Sequence, residues 1–280
     1  MKKLILLGVA ASVMLFGGEF EYGSGTFKLK GGLYGLNQEQ STDITTYTLK
    51  ENHKNIFSSK WYYSYQITWY DSDDLTSTQS SLSYLSTVAP AINYKYQGLD
   101  VNIVLGRDFY KTDENQYVSA GILLGVSLPY IDTGKSSSNS DTTDTILDSM
   151  KKSKTKIMTY KIGPSINTAY KISKMFSLYL NGTYAYQTGR IKNDYADTDL
   201  HVNGSFEEFD MGVKFQPFAK DYKVGFLTLK PRLYMTLGYR YSYWKLKDVK
   251  VDITGQNLDF ASSDMDMKSS VAYLGIGYSF

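Results

Sequence analysis

Apolar and polar residues alternate along most of this chain, in short runs separated by polar stretches. Phe27, Leu29, Gly31 and Leu33 alternate with Lys28, Lys30, Gly32 and Tyr34. Similar runs cover Trp61–Trp69, Leu82–Tyr96, Val101–Leu105, Val118–Leu128, Met158–Ile166, Phe176–Tyr186, Phe209–Phe215, Leu227–Tyr243 and Ala272–Phe280, ten in all. A period of two marks a strand with two unlike faces. The pattern predicts an all-β chain of about ten strands, within a range of 8–12. Gln97-Gly98 reads as a tight turn between the third and fourth runs, and Lys171-Ile172-Ser173-Lys174 as another. Pro90, Pro164 and Pro231 fall inside runs. Proline removes a ladder donor, so each predicts a bulge or a strand end.

The last run puts Ala272, Leu274, Ile276, Tyr278 and Phe280 on one face and Tyr273, Gly275, Gly277 and Ser279 on the other. This ending resembles the C-terminal strand of bacterial outer-membrane β-barrels, where a terminal Phe and alternating apolar residues form the insertion signal. The resemblance implies a single closed antiparallel transmembrane β-barrel in the outer membrane of a Gram-negative cell, present as a monomer. It also implies contact with outer-membrane lipid and lipopolysaccharide. The barrel-insertion machinery and periplasmic chaperones would be its partners during biogenesis. The closing strand is expected to pair with Thr228–Ser242 on one side and Thr26–Leu36 on the other.

The start of the chain agrees. Met1-Lys2-Lys3 is positively charged, and Leu4–Phe16 is apolar apart from Ser12. That stretch is too short to span a bilayer as a helix and has the form of a secretory signal peptide. Cleavage near Gly18 divides the chain into residues 1–18 and a barrel domain, 19–280. Beyond residue 20 no apolar stretch is long enough for a spanning helix, so a membrane crossing would use strands. Tyrosine dominates the aromatics, with 26 Tyr against 13 Phe and 3 Trp. Its apolar ring and polar hydroxyl suit a membrane–water interface. The absence of cysteine excludes disulfides, thiolate metal sites and cysteine catalysis. A net charge of +2 without a long basic run gives no footprint for nucleic acid.

Counting strands from a periplasmic start puts segments 37–58, 129–154, 188–204 and 247–266 on one rim, all long and polar. Segments 111–116, 171–174 and 218–224 fall on the other and are short, as in outer-membrane barrels. Gln97-Gly98 is too short for its rim and Asp71–Ser81 too long, so a missed or false strand is to be expected among residues 37–98. Within the segment between Ile131 and Lys154, residues 145–150 are expected to form one or two helical turns, with Ile146, Leu147 and Met150 on one side.

If the apolar face of every strand meets lipid, as for Ala272 to Phe280, the inward charges are Lys28, Lys30, Lys95, Asp108, Lys161, Glu208, Asp210, Lys214, Lys230, Arg232 and Arg240. This set has eight basic and three acidic side chains. Folding the eighth and ninth strands about residue 221 places Asp210 opposite Arg232 as a candidate ion pair. Two readings stay open. A barrel of this size is nearer the filled end of the range, so these charges form a polar core. Alternatively they line a narrow passive pore with a weak anion preference. Surface adhesion through the long polar segments is a further alternative.

Catalytic signals are thin. His53 and His201 both fall in predicted loops, His53 as a solvated one, and no hydrolase, metalloprotease or phosphate-loop motif occurs. Asp71-x-Asp73 and Asp199-x-His201 resemble the Asp-Asp and Asp-His pairs of the omptin surface proteases. That resemblance implies a water activated by His201, oriented by Asp199 and held from across the mouth by Asp71 and Asp73. The residues from Tyr70 to Asp74 do not match the omptin surroundings, and the rim count separates Asp71 from His201. The expectation is therefore a non-enzymatic barrel without metal or cofactor.

Overall fold

The computed structural model describes residues 18–33, 36–56, 59–76, 93–133, 154–193, 198–217, 222–224, 227–229, 233–253, 256–259 and 264–278. The long strands are β1 (Gly18–Leu33), β2 (Leu36–Asn55), β3 (Trp61–Thr76), β4 (Asn93–Asp113), β5 (Gln116–Thr133), β6 (Lys154–Lys171), β7 (Phe176–Asn193), β8 (Thr198–Phe215), β11 (Leu233–Ile253) and β13 (Met265–Tyr278). Three short strands complete the set: β9 (Tyr222–Val224), β10 (Leu227–Leu229) and β12 (Gln256–Asp259). Each long strand pairs antiparallel with the next, and β13 returns to β1. The ten long strands thus close into one barrel, and closure leaves no free edge along the wall. β13 lies between β11 and β1, as the sequence predicts, with Leu274 opposite Tyr22 and Leu237.

The strand number agrees because two errors in the sequence reading cancel. Segment 37–58, expected as a loop, is largely β2. Gln97-Gly98, expected as a turn, lies inside β4, so two predicted strands are one. A polar, Thr-rich strand such as β2 carries little apolar alternation, which hid it. Both ends of the described barrel, Gly18 and Tyr278, lie at one rim and pair with each other. The residue 1–17 stretch, the 77–92 segment that includes Pro90, the helical turns at 145–150, Lys230, Pro231, Arg232 and Phe280 lie outside the described residues. Pro164 sits within β6 without a register shift: Ile162 pairs with Tyr186 and Ser165 with Thr183, and only the ladder between them is interrupted.

The wall inverts along its length. Toward the terminal rim the outward residues are apolar and exposed, among them Ile103, Leu105, Ile122, Leu124, Ile162, Ile166, Leu178, Leu180, Met211 and Leu237. Inward residues at that level are polar, including Ser64, Asn102, Ser119, Asn167, Ser177 and Thr236. Toward the far rim the order reverses. Phe27, Ile44, Tyr70, Tyr96, Phe206, Trp244, Leu246 and Met267 point inward and form one buried cluster. Their outward neighbours Lys28, Lys30, Asp73, Lys156, Lys192 and Lys247 are exposed. A wall bathed in lipid hides its polar groups inside, whereas a wall bathed in water buries its apolar ones. Strands of 18–21 residues rise roughly 45–55 Å at the usual tilt, about twice the ~25 Å height of a membrane belt. The lower half has the dress of a transmembrane barrel. The upper half is built like a water-soluble one.

Candidate functional site

The lower interior is organised around two cations and two carboxylates carried by four strands. Lys50 Nζ contacts Glu21 at 2.5 Å and Asp210 at 3.0 Å. Arg240 Nη2 donates to Glu21 at 2.7 Å and Asp210 at 3.1 Å, while its Nη1 donates to Thr48 Oγ1 at 3.0 Å. Each cation touches both anions, so the ring of four is closed and neutral, and all four are buried. Tyr273 donates to Asp210, and its hydroxyl also meets that of Tyr179. The Lys50 ammonium lies 4.9 Å from the Tyr179 ring centre and 5.0 Å from that of Tyr273. Gly212 and Gly238 face each other across β8 and β11. A Cβ on Gly212 would lie 2.5 Å from the Tyr179 hydroxyl, and one on Gly238 would lie 2.5 Å from the Tyr273 ring. The paired glycines make room for the two phenols.

Further bonds cross the lumen. Gln66 on β3 donates to Glu208 on β8 at 3.1 Å, and Asn181 on β7 donates to Asn52 on β2 at 3.5 Å. In a ring of ten these pairs are five strands apart, so each spans the full diameter. Above them Lys161 pairs with Asp100 and packs 3.9 Å from the Phe206 ring centre. Trp244 Nε1 donates to Ser127 at 3.2 Å, again across the lumen. The aromatic cluster caps this layer, with Phe27 stacked on Tyr96 at 4.0 Å between centroids. Among the described residues, cavities inside include one of about 40 Å³ beside Asn102 and Glu208 and one of about 350 Å³ near the terminal rim beside Lys111, Lys214 and Tyr234.

His53 is a correction to the sequence reading. It lies on β2 rather than in a solvated loop, where the register shifts between Glu51 and Lys54. A bulge re-aims the residues it contains, and this one turns His53 into the barrel. The imidazole stacks on Tyr62 and Tyr117 at 4.6 and 4.0 Å, and its Nε2 meets Asp108 Oδ1 at 2.6 Å. Asp108 also accepts from Asn55 at 2.7 Å and Ser119 at 2.7 Å.

The expected inward charges divide. Asp108, Lys161, Asp210 and Arg240 are buried inside the barrel, and Glu208 and Lys214 line its two cavities. Lys28, Lys30 and Lys95 instead face outward: Lys28 reaches Glu39 at 3.0 Å and Lys95 reaches Asp71 at 2.8 Å. They sit on the inverted part of the wall, where Phe27 and Tyr96 take the interior. Lys230 and Arg232 are not among the described residues. Asp210 lies opposite Arg240 rather than Arg232, because the β8–β11 connection is longer than assumed and carries the β9–β10 hairpin. Sequence reading missed Glu19, Glu21, Lys50 and Asp100. Glu19 and Glu21 abut the expected cleavage point, Lys50 lay in the supposed loop, and Asp100 followed the supposed turn. With these included, the described inward charges show no basic excess. Ala272, Leu274, Ile276 and Tyr278 share the outward face, with Leu274 62% exposed.

The omptin-like constellation is not assembled. Asp71 and His201 do lie toward the same far rim, contrary to the rim count, but on β3 and β8, five strands apart. Asp71 contacts Lys95 on the outer wall, and His201 lies on the outer wall between β5 and β8. Asp73 is exposed on the same outer face as Asp71, and Asp199 sits on β8 opposite Lys192. Outward side chains at opposite ends of a diameter cannot hold one water. Asp71→Ala should change unfolding stability by no more than about 1 kcal/mol, since it removes a part-exposed ion pair. A loss of several kcal/mol in denaturant titration would contradict that placement.

No protein-family model matches the chain, and no curated protein matches it. Among solved structures it is similar to the outer membrane protease OmpT of Escherichia coli, at 7% identity over 95% of this chain and 97% of that one, with a TM-score of 0.48. It is also similar to the toluene transporter TodX of Pseudomonas putida, at 9% identity, covering 95% and 90%, with a TM-score of 0.31. A third is Ail, the attachment invasion locus protein of Yersinia pestis, at 12% identity, covering 94% and 99%, with a TM-score of 0.29. At such identities the activities of those proteins say nothing about this one.

Proposed function

We propose that this protein is an outer-membrane β-barrel with a filled, cross-braced interior, serving as a structural and surface-presenting barrel and not as a solute channel. The observation that carries the reading is the set of bonds spanning the lumen, Gln66–Glu208 and Asn52–Asn181 above all, beneath a buried aromatic cluster. An open pore needs a continuous polar path, whereas here apolar rings fill the far half and the buried layer of Glu21, Lys50, Asp210 and Arg240 crosses the near half above the cavity of about 350 Å³. Purified protein in planar bilayers should give no stepwise conductance above leak. Steady ohmic steps from folded protein would overturn the filled-barrel reading.

The inverted wall favours surface presentation as the use of this scaffold. In the strands of 18–21 residues roughly half the length, some 20 Å or more, rises above the belt as a stem with a water-facing polar surface. Binding residues commonly sit on segments held by such scaffolds.

A further inference from the structure

The ionic layer joins β2 to β8 across the lumen, with Lys50 on β2 meeting Asp210 on β8 at 3.0 Å. One level nearer the terminal rim the same two strands carry the reverse pair, Glu51 on β2 and Lys214 on β8. Both line the cavity of about 350 Å³, and no ion pair joins them. Glu51 accepts from the backbone N–H of His53, and Lys214 packs 3.9 Å from the Tyr234 ring centre. A carboxylate has about four acceptor positions and an ammonium about three donors, so each keeps capacity for a charged partner. Two more lining side chains hold buried acceptor atoms without a hydrogen-bond partner, His53 Nδ1 and Asn115 Oδ1. His53 Nε2 carries its proton toward Asp108, which leaves Nδ1 as the acceptor. The cavity reaches the rim at the β4–β5 turn, where Glu114 is exposed. Its inner end is formed by Thr236 and Tyr179, which bond to Glu19 and Tyr273.

We propose that this pocket binds a small zwitterion of the amino-acid or short-peptide class, its ammonium at Glu51 and its carboxylate at Lys214. Charges withdrawn from water are costly unless paired, and a ligand with one charge of each sign pairs both at once. A simple anion would meet Lys214 but be repelled by Glu51, and a simple cation would meet the reverse. A neutral solute would satisfy neither. The two unpartnered acceptors suit the ligand's ammonium or a peptide N–H. The volume lies at the lower end of the usual range for small-ligand sites, roughly 300–1,000 Å³. Bound there, the zwitterion would complete at this level the β2–β8 bridge that Lys50 and Asp210 make above it. The site goes beyond the surface-presenting role and does not depend on it.

The test is isothermal titration of the full folded protein in detergent micelles. Probes are L-alanine, L-alanyl-L-alanine, and the N-acetyl and C-terminal amide forms of each. Wild type should bind a zwitterion, and bind its two derivatives at least about tenfold more weakly, because each derivative leaves one charge of the pocket unpaired. Glu51→Gln should abolish the advantage of the zwitterion over its N-acetyl form and keep its advantage over the amide. Lys214→Gln should do the opposite. Ala169→Phe, which fills the cavity and leaves both charges in place, should remove binding. Lys28→Gln, on the outer wall, should change nothing. The derivative series needs no substitution, so it decides the matter even if a variant does not fold. Binding of neither zwitterion by wild type, or equal binding of zwitterions and derivatives, would overturn the proposal. Folded Glu51→Gln and Lys214→Gln variants that keep the full wild-type discrimination would overturn it too, as would undiminished binding by Ala169→Phe.

Discussion

Asp210→Ala is expected to destabilise the barrel by about 3–5 kcal/mol, the usual cost of removing one partner from a buried ion pair. Asp210 is the single carboxylate that receives Lys50, Arg240 and Tyr273 together. Without it, two buried cations would share Glu21 alone. The measurement is the shift in the unfolding midpoint in guanidinium, followed by the changed gel migration of the unfolded barrel. Adding Lys50→Met to Asp210→Ala tests the cause. It removes the surplus cation, so the double variant should be no less stable than Asp210→Ala alone and should recover part of the loss. Simple additivity of the two single losses would show that the four charges do not act as a ring. A loss below about 1 kcal/mol for Asp210→Ala would mean that water reaches the layer.

Trp244→Ala is expected to cost a similar ~3–5 kcal/mol, through lost burial and the cavity left behind. The ring is 2% exposed and lies between Phe206 at 5.5 Å and Tyr70 at 5.6 Å. Its loss should be felt in the far half of the barrel first. Hydrogen exchange should therefore quicken in the upper parts of β3, β8 and β11 before the lower ionic layer opens. Leu237→Ala is the contrasting change. Leu237 is 60% exposed on the lower outer wall, where detergent or lipid replaces the lost contacts, so little stability should be lost. If Trp244→Ala proved as mild as Leu237→Ala, the far half would not be a packed apolar core.

The legible and illegible parts of this chain divide along physical lines. β5, β6, β7 and β13 were readable because apolar residues recur at alternate positions along their outward faces. β2 was not, because Thr42, Thr45, Thr46 and Thr48 occupy both faces and blur the period. The inward assignment of Lys161, Asp210, Lys214 and Arg240 followed from parity on strands where the apolar face meets lipid. It failed for Lys28, Lys30 and Lys95, which obey the same parity on a part of the wall where water replaces lipid. No alternation distinguishes these cases, since reversing both the wall and its surroundings leaves the same pattern of residues. The ring of Glu21, Lys50, Asp210 and Arg240 was likewise hidden. Its members come from four strands, and their sequence separations reach 219 residues.

By itself, the sequence determined that the chain forms about ten two-faced antiparallel strands, and that the last of them lies between the first and the ninth long strand. Short-range periodicity and the lengths of the runs are enough for that. Only the tertiary structure decided which face is inside at each level and which charges meet across the lumen. Those outcomes depend on register and closure, which place residues from distant strands at one height. They also depend on the solvent outside the wall, a boundary condition that alternation cannot encode.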